Sequence, residues 1–296
     1  MNSPAEVTIA NFAVCFVDLL GQREAMKNQG LLPDCGTDEQ RAGLIRLVKN
    51  SVGKITVVHR QAEAMLDAIA EKGEPPGPID AKYRQAWDDL HSKNVCTQRW
   101  SDGLMFFTRL GGTRLTEQIK GLYSQFCLAG AMCLIGLAGR APMRGGIDIA
   151  WGVELYPGEL YGPAVANAYQ IESELAEFPR IVVGVRAREY LEEVLGDPDS
   201  SVVVLAAKKC AELCLGMLSH DERGVLFLDY LSAAFERAVT SSQIEPLWDK
   251  ARSFIEEECD AHAKSRNDKL ASRYGRLAAY FDSNPPPSTR AAQARK

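Results

Sequence analysis

Runs of apolar residues along the chain predict where its strands lie. The segment FAVCFVDLLG (residues 12–21) is apolar at both alternating sets of positions, which is typical of a strand buried on both faces in the middle of a sheet. Residues 95–100 and 104–108 are predicted to be the two arms of a hairpin, because Ser-Asp-Gly between them is a strong turn signal. Further strands are predicted at residues 143–152, 180–185 and 225–230, with a short arm at 153–161.

Apolar positions at helical spacing predict the helices. They lie at residues 38–70, 113–139, 162–177, 187–195 and 244–281. Residues 202–218 are largely apolar and fit a strand followed by a helix, and the pattern does not separate these two elements. A hairpin and further strands interspersed with helices indicate a mixed α/β fold, in which helices pack on a mixed sheet.

Length and local composition suggest how the chain is divided. Its 296 residues are enough for one large core with an extension. We assign residues 1–200 to a main domain and residues 201–283 to an extension packed on it. Residues 284–296 are rich in proline and charge and are predicted to be a disordered tail.

Charge and cysteine content narrow the class of protein. The net charge of −5 argues against a nucleic-acid partner held by phosphate contacts. The eight cysteines show no paired CxxC spacing and are interpreted as buried thiols of a reducing compartment. The longest apolar stretch, residues 121–139, is interrupted by polar residues and is too short to span a bilayer. We therefore expect a soluble, cytoplasmic protein without a membrane partner.

Two aspartates stand at predicted strand ends. Asp18 closes the first strand and Asp102 occupies the hairpin turn, so the two carboxylates converge if these strands are neighbours in one sheet. Paired carboxylates on a rigid sheet can hold two divalent ions, and oxygen ligands favour Mg²⁺ or Mn²⁺. The backbone carbonyl of Leu19 is a further candidate ligand. The alternatives are that Asp18 caps the following helix and that Asp102 only serves the turn.

Four segments resemble motifs of the catalytic domain of class III nucleotide cyclases, the adenylate and guanylate cyclase fold. They are FVDLLG, RWSDG, MRGGIDIA and ELYGPAVANAYQIE, in the family's order, and they cover roughly residues 10 to 185. The resemblance implies that Asp18 and Asp102 are metal ligands and that Arg144 binds the triphosphate. Arg144 could instead form an ion pair with an acid such as Asp148. Phe16 would lie beneath the ribose or triphosphate, or simply belong to the core.

The chain departs from the purine cyclases of that family. The positions of the family's ribose-binding asparagine and transition-state arginine fall on Ala166 and Gln170. Asn167, one residue along, is a candidate replacement for the asparagine. The purine-reading lysine is replaced by Gln98, and Glu159 replaces an aspartate.

The closer resemblance is to the bacterial pyrimidine cyclases of the Pycsar antiphage systems, which share the SDG hairpin, the RGGI strand and the run from residue 161 to 181. It implies a homodimer, with sites at the interface, that converts UTP, or less favourably CTP, to the cyclic nucleotide. The product would then activate a separate effector protein. Candidate substrate contacts are Phe16, Leu19, Gln98, Arg99, Glu159 and Tyr161.

The base preference and the function have alternatives. Arg99 as a donor favours uracil, whereas Gln98 and Glu159 suit either pyrimidine. Tyr161 and Trp100 either narrow the base pocket or belong to the core. The rival functions are a purine cyclase, a degenerate nucleotide-binding module of the same fold, and a scaffold protein built on the long C-terminal helix.

Overall fold

The computed structural model describes residues 7–21, 31–32, 35–50, 52–70, 80–81, 84, 88, 94–111, 115–239 and 244–293. Its strands form one mixed sheet in the order β2-β3-β1-β4-β6-β8-β7, with β5 paired to β4. The strands are β1 (Thr8–Leu19), β2 (Cys96–Trp100), β3 (Gly103–Leu110), β4 (Met143–Tyr156), β5 (Glu159–Tyr161), β6 (Ile181–Val183), β7 (Leu218–His220) and β8 (Leu226–Leu228).

Helices pack on this sheet, which confirms the predicted mixed α/β class. In the described part of the chain they are α1 (Asp38–Asn50), α2 (Val52–Ala70), α3 (Leu115–Ala138), α4 (Pro163–Leu175), α5 (Val185–Gly196), α6 (Val202–Gly216), α7 (Ala233–Val239), α8 (Ile244–Lys264), α9 (Asp268–Ser283) and α10 (Pro287–Gln293).

Strand β1 lies in the middle of the sheet and separates two cores, as its two apolar faces predict. Ala13, Cys15 and Val17 belong to the larger core, which includes α3 and the C-terminal helices. Phe12, Val14 and Phe16 belong to a smaller core under α4. Side chains alternate between the faces of a strand, so Asp18 follows Phe16 onto the α4 face.

A glycine in β4 lets α4 approach the sheet closely. A Cβ atom built on Gly146 would lie 2.4 Å from the carbonyl oxygen of Ala168 and 2.9 Å from the backbone nitrogen of Glu172. Any larger residue would push α4 away from the strand. The contact fixes the second half of α4 over the end of β4 that carries Arg144.

The C-terminal elements differ from the prediction. Residues 244–281 were expected to be one helix, but the chain turns at residues 265–267 and forms α8 and α9, which pack against each other. Arg266 has a left-handed backbone (φ 54°), and the Asn267 side chain caps α9 by accepting a hydrogen bond from the backbone of Leu270. The helix thus ends and restarts within a largely polar stretch, residues 256–269, that separates the apolar positions of α8 from those of α9.

Two further expectations need correction. Residues 284–296 were expected to be disordered, yet they contain α10, where Arg290 pairs with Glu236 at 2.8 Å and donates to the carbonyl of Leu231. Residues 202–218 fitted a strand followed by a helix that the pattern could not separate, but the order is helix α6 followed by β7. The apolar face of α6 packs against α3 and α5, which explains why that segment reads as apolar throughout.

The proposed boundary at residue 200 falls within a continuous structure. Strands β7 and β8 lie after that boundary, and they extend the sheet that β1 to β6 begin. The larger core likewise contains residues from both sides of residue 200, such as Phe126 and Phe254. Residues 201–283 therefore complete the sheet and core of the first 200 residues.

One described helix, α3, is long and apolar enough to cross a membrane by length and composition. However, 78% of the most apolar 18 residues of this helix is buried inside the fold. This burial is consistent with the core helix of a soluble protein.

Candidate active site

The structure brings the two predicted aspartates to one end of the sheet. Asp18 is the register partner of Gly103 on β3 and of Arg144 on β4. Asp102 immediately precedes Gly103 in the β2–β3 turn. Paired residues have Cα atoms about 4.5–5.5 Å apart and consecutive residues about 3.8 Å, so the Cα atoms of Asp18 and Asp102 lie within about 9 Å.

The turn that carries Asp102 is shaped by its neighbours. Gly103 packs against Phe16, and a Cβ atom at this position would lie 2.9 Å from the Phe16 ring. Ser101, which stands where the cyclase motif has glycine, adopts a left-handed backbone with φ 51°. This conformation is unusual for a residue with a side chain, which indicates that the hairpin geometry is imposed by its surroundings.

The two carboxylates influence each other electrostatically. Burial raises the pKa of Asp18 to about 6, and the negative charge of Asp102 adds to the rise. Arg144 and a hydrogen bond from the backbone N–H of Leu19 oppose this increase in the pKa. Asp18 is therefore held in a position where its charge is only partly compensated by the protein.

A third carboxylate, Glu172, was missed by sequence reasoning. It lies on the sheet-facing side of α4 with only 2% of its side chain exposed, and its Oε1 is 2.5 Å from Nε of Arg144. This contact is an ion pair and not a well-directed hydrogen bond, since neither atom finds a hydrogen-bond partner in the described structure. Burial raises the pKa of Glu172 to about 7; Arg144 opposes the rise, and Asp18 and Asp102 add to it.

These four residues, which we call the Arg144 cluster, are Asp18, Asp102, Arg144 and Glu172. When all are ionised, the cluster carries three negative charges against one positive charge. Its donors are carboxylate oxygens, which are the ligands that Mg²⁺ and Mn²⁺ prefer. The residues present therefore fit a hard divalent cation at Asp18 and Asp102.

The described residues do not build a closed metal cage. Among them, no group of three or more His, Cys, Asp or Glu side chains is arranged to hold an ion. Mg²⁺ is commonly bound by one or two carboxylates together with substrate phosphates, so two aspartates are sufficient for that mode. The Leu19 side chain is buried in the larger core, which leaves only its backbone for such a role.

Aromatic side chains adjoin the cluster on the α4 face. Phe16 is nearly buried and makes edge-to-face contacts with Trp100 (6.4 Å between centroids) and Tyr169 (5.5 Å). Trp100 and Tyr169 are themselves exposed. Phe16 thus packs as a core residue, while its two neighbours offer aromatic surface to solvent beside the acids.

The β4–β5 hairpin folds across the same face and reaches β2. The Oε1 atom of Gln98 accepts a hydrogen bond from the backbone N–H of Leu160 at 2.9 Å. Glu159 and Tyr161 on either side of Leu160 are exposed, and the Tyr161 hydroxyl donates to Glu159 at 3.4 Å. Gln98, Glu159 and Tyr161 are therefore gathered on one hairpin edge, although the structure records no substrate contact for them.

Two candidate residues lie away from this face. Arg99 alternates with Gln98 along β2 and pairs with Glu63 of α2 at 2.5 Å, with 62% of its side chain exposed. Tyr169 of α4 contacts Phe16, and Asn167 is two residues earlier on the same helix. Two residues correspond to about 200° around a helix, so Asn167 lies on nearly the opposite side of α4 from Tyr169. Arg144 pairs with Glu172 rather than with Asp148, whose carboxylate accepts a hydrogen bond from the backbone of Ala187.

Comparison with known proteins does not identify the chain. No protein-family model matches it, and no curated protein matches it. The resemblance to nucleotide cyclases therefore rests on the four sequence motifs alone.

Proposed function

We propose that the chain is a pyrimidine nucleotide cyclase that converts UTP, or less favourably CTP, to the 3′,5′-cyclic nucleotide and pyrophosphate. The observation that carries the proposal is the convergence of Asp18 and Asp102 beside Arg144, with negative charge in excess. A fold that needed these acids only for stability would gain from balancing their charge. Uncompensated carboxylates at a strand end are more readily explained by a cationic ligand.

The reaction requires few protein groups. The 3′ oxygen of the nucleotide bonds to its own α-phosphorus, the bond from that phosphorus to the β-phosphate oxygen breaks, and the hydroxyl proton is released. Two bound Mg²⁺ or Mn²⁺ ions would lower the pKa of the hydroxyl and neutralise phosphate oxygens. Asp18, Asp102 and the Leu19 carbonyl would hold these ions, and Arg144 would donate forked hydrogen bonds to the triphosphate.

The contacts of Gln98 and Arg99 within the protein limit what each could contribute to base recognition. The amide oxygen of Gln98 is already engaged by Leu160, which leaves its NH₂ group as a donor. Uracil and cytosine both present an acceptor on the pairing edge, so Gln98 suits either base. Arg99 is occupied by Glu63 and gives little support to a preference for uracil.

A homodimer would account for the position of Asn167. Because Asn167 and the Phe16 contact lie on different sides of α4, Asn167 would act on a substrate bound by a second copy of the chain. We extend the proposal accordingly to a cytoplasmic homodimer with sites at the interface, whose product activates a separate effector in antiphage defence.

A turnover panel tests the proposal. ATP, GTP, CTP and UTP are each incubated with the protein and Mn²⁺, and products are identified by mass spectrometry. We expect cyclic UMP as the main product, with cyclic CMP second. A purine product would favour the purine cyclase instead, and nucleotide binding without any product would favour the degenerate module.

One observation favours that last alternative. Gln170 occupies the position of the transition-state arginine, and its amide donates to Glu174 of the same helix at 3.1 Å. The panel therefore includes direct binding of each nucleotide, so that a binding module and an inactive preparation are distinguished.

A further inference from the structure

Glu172 is a buried carboxylate whose place in the fold calls for an explanation. It lies on the side of α4 that also buries Ala164, Val165 and Ala168 against the sheet. An ionised carboxylate in such a place is costly unless it is paired. In the described structure its one ion-pair partner is Arg144, at 2.5 Å.

The ion pair with Glu172 involves only the Nε side of the Arg144 guanidinium. Glu172 lies at Nε, and Nη1 makes a long contact of 3.4 Å with the carbonyl of Ala176, just beyond α4. Within the described residues, Nη2 has no hydrogen bond or ion pair. The guanidinium is thus attached to α4 through Nε and Nη1, which leaves Nη2 as its unengaged nitrogen.

The backbone explains why these two residues meet. Gly146 allows α4 to lie directly on β4, with the Glu172 backbone against it, and Arg144 is two residues earlier on the same face of β4. Arg144 is also the register partner of Asp18. Glu172 therefore holds Arg144 at the point where the aspartates converge.

We propose that Glu172 is a positioning residue that fixes Arg144 for the phosphate oxygens of a triphosphate. The inference rests on the proposed function, since it assigns the anion that Arg144 receives. An arginine held by a buried carboxylate needs no reordering when the anion arrives, so binding is stronger than with a freely rotating side chain. Glu172 itself touches neither substrate nor ions.

A thermodynamic cycle tests this role without relying on turnover. The binding of inorganic tripolyphosphate in the presence of Mn²⁺ is measured by calorimetry for the wild type, Glu172→Gln, Arg144→Ala and the double variant. We expect Glu172→Gln to weaken binding about tenfold, equivalent to about 1.4 kcal/mol. In the Arg144→Ala background the same change should have no further effect, because Glu172 acts only through Arg144.

The control is Glu174→Gln, which removes an exposed carboxylate from the same helix and should bind tripolyphosphate like the wild type. Wild-type affinity in Glu172→Gln would overturn the inference, as would an equal loss in the Arg144→Ala background. If Glu172→Gln fails to fold by circular dichroism, Glu172→Asp replaces it in the cycle. This variant keeps the charge but withdraws it by one methylene, so unchanged affinity would equally overturn the inference.

The turnover panel keeps this inference separate from the proposed function. If the binding cycle shows coupling between Glu172 and Arg144 but the wild type makes no cyclic nucleotide, the anion site is supported and the proposed cyclase activity is refuted. If the wild type makes cyclic nucleotide but the binding cycle shows no coupling, the cyclase activity is supported and the positioning role of Glu172 is refuted. A wild type that does not bind tripolyphosphate would overturn the inference directly.

Discussion

Two clusters of arginine and carboxylate groups can be compared in this molecule, and their charge balance differs. The Arg144 cluster has three carboxylates and one arginine. A second cluster, which we call the Arg180 cluster, joins β6, β7 and α9 and has three arginines and three carboxylates, so its charges balance. Its members are Glu177, Arg180, Asp221, Glu222, Arg223 and Arg276.

The pKa values of the carboxylates follow this difference. In the Arg180 cluster, burial tends to raise the pKa of Asp221, but hydrogen bonds from Arg180 and the backbone outweigh it and lower the pKa. Hydrogen bonds from Arg276 and Arg223 lower the pKa of Glu177. In the Arg144 cluster, the pKa values of Asp18 and Glu172 are raised instead. The carboxylates of the Arg180 cluster are matched by arginines, whereas the Arg144 cluster is left short of positive charge.

Removing either aspartate of the Arg144 cluster should have the largest effect. We expect Asp18→Ala or Asp102→Ala to reduce cyclic nucleotide formation about a thousandfold or more, since each would lose a ligand of the catalytic ions. Both variants should remain folded by circular dichroism. Retained turnover in either variant would remove the metal-binding assignment.

Removing the buried carboxylate of the Arg180 cluster, Asp221, should instead destabilise the fold. Asp221→Asn leaves Arg180, which is 2% exposed, without its partner at 2.7 Å, and breaking a buried pair in this way costs about 3–5 kcal/mol. Urea denaturation measures the loss in the free energy of unfolding. Glu222→Gln, which removes the exposed carboxylate that pairs with Arg276 at 3.1 Å, is the matched control and should change stability little. Equal stability of Asp221→Asn and the wild type would contradict a stabilising role for this cluster.

Asp18→Asn should stabilise the protein at pH 7.5 without divalent ions. The folded-state pKa of Asp18 is raised, so its contribution to stability is fully present below about pH 4 and is lost as the pH rises through about 6. The variant avoids that loss, and we expect a gain of about 1–2 kcal/mol in the free energy of unfolding at pH 7.5.

Adding Mn²⁺ should reverse the order of the two proteins. At a hundred times its dissociation constant, a ligand adds about 2.7 kcal/mol to the wild type, whereas Asp18→Asn should gain little. Thermal melts with and without Mn²⁺ measure both effects. If Mn²⁺ does not raise the stability of the wild type, the Arg144 cluster does not bind the ion, and its difference from the Arg180 cluster would have no functional meaning.

Arg99→Ala should have the smallest effect. Its ion pair with Glu63 is exposed, and such pairs contribute about 0–1 kcal/mol. We expect the ratio of kcat/KM for UTP and CTP to stay unchanged, because Arg99 lies on the opposite face of β2 from Gln98. A shift toward CTP would restore the sequence-based prediction that Arg99 reads uracil.

Local sequence patterns were enough to predict the convergence of Asp18 and Asp102. One acid ends a strand that is apolar on both faces and the other sits in an Asp-Gly turn, so placing the strands side by side also places the acids. The same patterns gave the mixed α/β class and both faces of β1. All of these features depend on neighbouring residues or on regular alternation.

Features that depend on tertiary packing could not be predicted in this way. Glu172 appears as one of several acids on a polar helix, and it becomes special only because Gly146 lets α4 rest on β4. The break between α8 and α9, in contrast, had local signals, because it falls in the largely polar stretch of residues 256–269 and Asn267 is a recognisable helix cap. Helix α10 is held by the contacts of Arg290, which follow from the fold and not from local composition.

The sheet shared by the two halves of the chain limits how the protein can be shortened. Ending the polypeptide near residue 200 would strip β8 from β6 and leave a bare row of backbone donors and acceptors along a short, apolar strand. Such a fragment is expected to aggregate, whatever activity it retains. Truncation would then report on solubility, so point substitutions are the better tool for separating catalysis from folding in this molecule.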